Sequence, residues 1–234
     1  MQVVILAGGR GTRLRPLTNQ LPKVLVEVHG KPFLQYQLGW LARYGLRDVV
    51  LCVGYLAQKI EAFAKDGSAF GVHITYSREE DKLLGTAGAL KKAQAVLDNS
   101  FCVLNGDSYL PINPLNAIEY FEQVGFTAMM LTFKNLGQYD KSNAIVQNGF
   151  VTFYSRNTCV DELEFIDYGM RIFRKEVLQS IPAGCFCDLD ALYEGLIERN
   201  KLAAYLVSEP FYEVGSVQGL TRFRQYVDKA GVQL

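Results

Sequence analysis

Five consecutive apolar residues, Val3 to Ala7, run straight into Gly8-Gly9-Arg10-Gly11-Thr12-Arg13. A short apolar run without alternation is what a strand shows when both of its faces are covered, as in a parallel sheet. Val49–Val53 and Phe101–Leu104 repeat the pattern, and His73–Tyr76 reads as a shorter strand. Helical segments fall between them: from Pro32 to Gly45, from Ala57 to Lys65, and from Thr86 to about Leu97. Strands separated by helices predict a doubly wound α/β sheet.

The second half of the chain is less regular. Thr127–Phe133 and Gly169–Phe173 read as strands, and Ala144–Val146 and Val151–Tyr154 flank Gln147-Asn148-Gly149. Asn-Gly accepts positive φ, so that stretch predicts a hairpin turn. Asp188 to Arg199 reads as an amphipathic helix with Asp188 as its N-cap, and Ser216 as the cap of a last helix reaching about Val227. No linker or internal repeat interrupts the 234 residues, which predicts one domain, with 1–110 as a nucleotide-binding half and 111–234 as a sugar-phosphate-binding and lid half.

Composition excludes several classes of function. Lys plus Arg and Asp plus Glu are both 24, so a nucleic-acid role has no electrostatic footprint. No uncharged apolar run approaches the roughly 20 residues of a membrane span. Met1 leads into a strand pattern without a secretory leader. The five cysteines, Cys52, Cys102, Cys159, Cys185 and Cys187, are odd in number and scattered, which predicts reduced thiols in a cytoplasmic protein.

The glycine loop sits where open α/β sheets bind ligands, at the carboxyl end of a strand. Glycines let backbone N–H groups converge on an anion. Arg13 adds a planar fork suited to phosphate oxygens, and Lys23 adds a point charge. Two familiar phosphate loops do not fit. The loop ends Gly-Thr-Arg rather than Gly-Lys-Ser/Thr, and two prolines follow Arg13 where a dinucleotide-binding helix should open.

The blocks Leu6-Ala7-Gly8-Gly9-Arg10-Gly11-Thr12-Arg13-Leu14, Leu21-Pro22-Lys23 and Gly30-Lys31-Pro32 resemble the sugar-1-phosphate nucleotidyltransferases, also known as NDP-sugar pyrophosphorylases. The resemblance continues in order through Glu80, Leu84-Gly85-Thr86-Ala87-Gly88-Ala89, Leu104-Asn105-Gly106-Asp107, Asp167-Tyr168-Gly169 and Tyr212-Glu213-Val214-Gly215-Ser216. It implies a Rossmann-like three-layer mixed sheet of the nucleotide-diphospho-sugar transferase type. It also implies transfer of a nucleotidyl group from an NTP to a sugar 1-phosphate, with Mg2+ as cofactor. Compact size and the Asp167-Tyr168-Gly169 block look most like the small heptose-1-phosphate guanylyltransferases.

The resemblance also implies roles for residues. Arg13, Lys23 and Asp107 are the catalytic candidates. Leu6, Ala7, Gly8, Gly9, Gly11, Thr12, Glu80, Gly85 and Thr86 are the nucleotide-binding candidates. Asn105, Asn143, Arg156 and Asp167 are candidates for the sugar phosphate, and Asp107 and Glu213 for the metal. The chain departs from the family pattern in four places. Glu213 stands where aspartate is usual, Ser155-Arg156-Asn157 stands where Glu-Lys-Pro is frequent, Asp167 stands where asparagine is frequent, and Leu83 replaces a frequent proline. Base, sugar and oligomeric state stay open, a homo-oligomer included. Two other readings stay open as well: a catalytically silent, nucleotide-sugar-binding regulatory subunit, and a cytidylyltransferase of a related branch.

The chemistry fits the residues. A phosphate monoester has a second pKa of about 6, so the nucleophile is ionised near neutral pH and needs no general base. The chain has only two histidines, His29 and His73, and neither adjoins a motif. What the reaction needs is cancelled charge between two anionic phosphates.

Overall fold

The computed structural model describes residues 1–135, 139, 141–157 and 162–232; Cys159 lies outside them. The chain forms two compact units. The first holds Met1–Leu83, Leu104–Leu110 and Phe211–Leu234, and the second holds Leu84–Val103 and Pro111–Pro210. They cut across the sequence halves, because residues 84–103 go with the second unit and residues 211–234 return to the first. Elements are numbered in chain order.

In the first unit, β1 (Gln2–Leu6) pairs in parallel with β4 (Asp48–Val53), which pairs in parallel with β5 (His73–Arg78). The register places Leu6 beside Cys52 and Val53 beside Arg78, so the loops after all three strands leave at one end. Val3, Val4 and Ile5 are 0% exposed, the covered state that an unbroken apolar run implies. A small hairpin of β2 (Glu27–Val28) and β3 (Lys31–Pro32) leads into α1 (Phe33–Arg43). Helix α2 (Ala57–Ala64) follows β4. Helix α6 (Val217–Ala230) closes the unit, with Ser216 accepting from the Gly219 amide at 3.0 Å as its cap. Phe223 of α6 packs edge-on against Phe33 and Tyr36 of α1, with ring centroids 5.2 and 5.4 Å apart.

Strand β6 (Ser100–Asn105) ends in the first unit, followed by β7 (Ser108–Tyr109). β7 pairs antiparallel with β13 (Tyr212–Glu213), setting Ser108 opposite Glu213.

The second unit begins with α3 (Gly85–Ala93) and the first residues of β6. Its strands run in the order β11 (Phe165–Arg174), β8 (Ala128–Lys134), β12 (Leu202–Val207), β10 (Phe150–Tyr154) and β9 (Ala144–Gln147). Pairings are mixed: β8 with β12 is parallel, and β8 with β11 is antiparallel. The Asn148-Gly149 turn has φ of 51° and 81°, as its sequence predicts. Helices α4 (Pro114–Val124) and α5 (Leu189–Glu198) complete the unit.

Several bounds differ from the sequence reading. The helix expected to start at Thr86 starts at Gly85, and its last turn, Gln94–Val96, tightens to a 3-10 helix. The strand expected from Gly169 is longer, Phe165–Arg174, with a register shift between Asp167 and Arg171.

Candidate active site

At the carboxyl ends of β1, β4 and β5 the backbone is crowded. A Cβ on Gly8 would lie 2.5 Å from Glu79 Oε2 and 3.3 Å from the Gly54 nitrogen. Only glycine lets these loops approach so closely. Gly11 has a φ of 60° and lies against Lys23, whose Cβ is 3.1 Å from where a Gly11 Cβ would sit. The stretch after it is three short 3-10 turns, Thr12–Leu14, Leu17–Asn19 and Lys23–Leu25. Thr18 Oγ1 donates to the Gly11 carbonyl at 2.8 Å, and Tyr55 Oη donates to the Asn19 carbonyl at 2.8 Å. These ties hold the long connection between Arg13 and Lys23 in one shape.

Lys23 Nζ donates to Asp107 Oδ2 at 2.6 Å, with the two side chains only 22% and 15% exposed. Burial pushes the Asp107 carboxyl up, but Lys23 and then Arg13 outweigh it and hold the group below its ordinary range. Asp107 sits in the turn between β6 and β7. That turn is held by Gln37 of α1, which is 1% exposed and donates through Nε2 to the carbonyls of Asn105 at 2.9 Å and Ser108 at 2.8 Å. The sequence reading missed Gln37. It stands among the apolar residues of an ordinary amphipathic helix, and no local signal marks it.

Glu213 arrives through β13. Its carboxylate accepts from the Gly215 amide at 2.5 Å and from the Ser216 hydroxyl. A Cβ on Gly215 would lie 2.7 Å from Asp107 Oδ2, 2.8 Å from Glu213 Oε2 and 3.0 Å from an Arg13 terminal nitrogen. Two carboxylates and a guanidinium therefore converge beside Gly215, with Lys23 on Asp107. A pair of neighbouring carboxylates is the kind of oxygen donor set that a hard divalent cation takes, completing its shell with phosphate oxygens and water. Among the described residues no group of three His, Cys, Asp or Glu side chains forms a metal cage.

The other candidates take varied places. Glu80 is exposed, whereas Glu79 is 9% exposed and is the carboxylate that meets the glycine loop. The pattern could not tell one from the other, because adjacent side chains at a strand end point to opposite sides. Leu6, Ala7, Gly8, Gly9 and Thr12 lie at or just after the end of β1, and Asn105 ends β6.

In the second unit, the Gly85–Thr86 stretch opens α3. Thr86 turns inward: its amide and hydroxyl donate to Asp188 Oδ1 at 3.0 and 3.1 Å. Asp167, a candidate for the sugar phosphate, forms an ion pair with Arg171. One carboxylate oxygen accepts from the Gly169 amide at 3.0 Å and the other from Arg171, with Asp167 5% and Arg171 1% exposed. The bulge after Asp167 turns the carboxylate onto its own strand. Burial disfavours the Arg171 charge, yet Asp167, Tyr193 and Tyr154 around it hold its pKa above the ordinary arginine value. Asn143 Oδ1 accepts from the Asp167 amide at 2.9 Å and so joins the edge of the sheet. Arg156 is 45% exposed, and its Nε meets Tyr154 Oη at 3.0 Å and Asp190 Oδ1 at 3.2 Å.

Cys52 and Cys102 are buried thiols, and burial pushes both up to about 12. Neither is a thiolate nucleophile near neutral pH.

A family model described as "Nucleotidyl transferase" matches residues 2–157. The chain is 32% identical over 236 residues to the UTP--glucose-1-phosphate uridylyltransferase of Synechocystis sp., covering 93% of this chain but 61% of that protein. It is 31% identical over 229 residues to the N-acetylmuramate alpha-1-phosphate uridylyltransferase of Neisseria meningitidis, covering 93% and 94% of the two chains. It is 33% identical over 216 residues to the D-glycero-alpha-D-manno-heptose 1-phosphate guanylyltransferase of Campylobacter jejuni, covering 92% and 95%. Among solved structures, HddC from Yersinia pseudotuberculosis complexed with GMP-PN superposes with a TM-score of 0.80 at 23% identity, over 96% of this chain and 98% of that one. A Bacillus anthracis structure reaches a TM-score of 0.88 at 21% identity over all of this chain. These likenesses show an α/β fold of the nucleotide-sugar transferase kind.

Proposed function

Since the chain belongs to the nucleotidyl transferase family, we propose that it transfers a nucleotidyl group from an NTP to a sugar 1-phosphate, giving an NDP-sugar and pyrophosphate. The observation that carries the proposal is the convergence of Arg13, Asp107 and Glu213 beside Gly215, with Lys23 bonded to Asp107. An oxygen of the sugar phosphate forms a bond to the α-phosphorus. The bond from that phosphorus to the bridging oxygen breaks, and pyrophosphate leaves with the electron pair.

The side chains act on charge rather than on protons. The glycine-loop amides and Arg13 hold the triphosphate, and Lys23 offsets charge gathering around the α-phosphate in the transition state. The nucleophile is already ionised above a pH of about 6. Asp107 and Glu213 would hold Mg2+, which would supply charge neutralisation on the phosphate oxygens. Arg156, with Tyr154 and Asp190 fixing its Nε, offers its outer nitrogens to the sugar phosphate. Uridylyl and guanylyl transfer in the near-full-length relatives support UTP or GTP as the donor, and N-acetylmuramate 1-phosphate and a heptose 1-phosphate bound the range of sugars.

The protein works in the cytoplasm, which its cysteine thiols support. Among the described residues no helix is long and apolar enough to cross a membrane.

The test is a matrix of the four NTPs against several sugar 1-phosphates, read by pyrophosphate release with magnesium and with a chelator. Release from at least one pair, abolished by chelation, is expected. Binding of nucleotide or nucleotide sugar without release from any pair would replace this reading with the silent subunit.

A further inference from the structure

Helices α3 and α5 cap each other. Asp188 stands at the N-cap position of α5, yet its carboxylate makes no bond to that helix. It accepts instead from the amide of Thr86, in the first turn of α3, at 3.0 Å. The hydroxyl of Thr86 donates to the same oxygen at 3.1 Å and accepts from the Leu189 amide, in the first turn of α5, at 2.9 Å. One acid and one hydroxyl thus satisfy the opening amides of two helices, each serving the other's. The Cys187 carbonyl takes the next two amides of α3, Ala87 and Gly88, both at 3.0 Å. The Cys187 amide donates to the Leu84 carbonyl at 2.8 Å.

Those contacts account for the glycines of the Leu84–Gly88 block. Gly85 has a φ of 74°, and a Cβ there would lie 2.5 Å from the Cys187 carbonyl oxygen. A Cβ on Gly88 would lie 2.9 Å from the Cys185 carbonyl oxygen. With its amides taken by Asp188 and Cys187, the α3 terminus is not a free anion site. Gly85 and Thr86 stay partly exposed. Two residues beyond Asp188, Asp190 meets Arg156 at 3.2 Å.

We propose that Asp188 and Thr86 form a positioning pair: Asp188 fixes the Gly85–Thr86 stretch for the nucleotide, and Thr86 in addition fixes the first turn of α5, which sets Asp190 against Arg156 for the sugar phosphate. The proposal rests on the nucleotidyl-transfer reading for the identity of the two ligands. It makes an asymmetric forecast. Removing the Asp188 carboxylate loosens the nucleotide stretch alone. Removing the Thr86 hydroxyl loosens both ends of the junction. Neither residue touches reacting atoms, so turnover at saturation is set elsewhere, by Arg13, Lys23 and Asp107.

The experiment measures kcat and both KM values for Asp188→Ala, Asp188→Asn, Thr86→Val and Thr86→Ser, with equilibrium binding of GTP and UTP to each. Asp188→Ala is expected to raise the NTP KM about tenfold, the scale of a lost helix cap, with the sugar-phosphate KM within about threefold of wild type. Thr86→Val is expected to raise both KM values about tenfold. Asn at 188 and Ser at 86 keep the needed acceptor and hydroxyl and should restore most of the loss. If Asp188→Ala does not fold, the contrast between Thr86→Val and Thr86→Ser carries the test, because valine keeps the volume of threonine. Lower melting temperatures with wild-type KM values and wild-type nucleotide binding would overturn the proposal and leave the transfer reading intact. A wild type that binds NTP but releases no pyrophosphate would overturn the transfer reading, and the binding of GTP and UTP would still judge the pair. A wild type that binds no NTP would overturn both.

Discussion

Lys23 and Asp107 show how one contact serves two ends. In the free protein the 2.6 Å bridge satisfies a lysine and a carboxylate that are both mostly buried. The same lysine is the charge proposed above to act on the α-phosphate. Because Lys23 and Arg13 hold the Asp107 pKa down against burial, the pair stabilises the fold above the ordinary aspartate range and loses that contribution as pH falls through the depressed folded value. The difference in urea midpoint between wild type and Lys23→Met should therefore be largest near neutral pH and shrink as the pH falls into the acid range, where the buried carboxylate of the variant takes up its proton first. A difference independent of pH down to strongly acid solution would show that Asp107 gains nothing from Lys23. Gly215 makes a second claim at this scale. A Cβ there would meet Asp107, Glu213 and Arg13 at 2.7 to 3.0 Å. Gly215→Ala should lower turnover at least about 100-fold, the scale of losing one electrostatic stabiliser, with little loss of folded protein by circular dichroism. Wild-type turnover in that variant would mean that the charged groups beside Gly215 do not act in turnover. That Arg13, Lys23 and Asp107 come together was legible in the order of the motif blocks. Which way a side chain turns was not, as with Glu79 against Glu80 and with Asp167 paired to Arg171.

Among the elements, the buried strands and the Asn148-Gly149 hairpin were legible because their patterns are local. Helix α4 was missed although Asn113 caps it, accepting from the Leu115 amide at 3.0 Å, and Gly125 closes it with a φ of 77°. Its apolar face is narrow, with only Pro114, Ala117 and Phe121 buried, so the helical period is weak. The two-residue strands β7 and β13 carry no readable period, yet they bring Asp107 and Glu213 together. The reciprocal capping of α3 and α5 joins Thr86 to Asp188, far apart in the chain, and a local cap rule credits Asp188 to its own helix instead. Gln37 is the element-scale support for Asp107. Its Nε2 holds two carbonyls of the turn, while its buried Oε1 has no partner among the described residues. Gln37→Leu should cost about 1–3 kcal/mol of unfolding free energy, the penalty for stranding buried carbonyls, and should lower turnover more than it raises either KM. Unchanged turnover alongside the expected destabilisation would make Gln37 a core residue only.

Across the whole molecule, chemistry follows from where charge is gathered and where titratable bases are absent. His73 begins β5, at the end opposite the glycine loop, and is exposed. His29 lies in the β2–β3 turn, with Nε2 3.2 Å from Asp228 of α6. Asp228 is twelve residues along the helix from Ser216, or about 18 Å at the rise of an α-helix. Neither histidine reaches the Asp107 and Glu213 carboxylates. Replacing each with glutamine should leave the rise of rate with pH through about 6, which follows substrate ionisation, almost unchanged in height and shape. A large pH-dependent loss in either variant would mean the enzyme supplies a base. The account stands most directly on Lys23. Pyrophosphate release in a single turnover, with NTP and sugar 1-phosphate saturating, should be slower in Lys23→Ala by a factor of at least about 100, while the product nucleotide sugar binds with an affinity much nearer wild type. A wild-type rate of release from Lys23→Ala would contradict catalysis by charge neutralisation at this site.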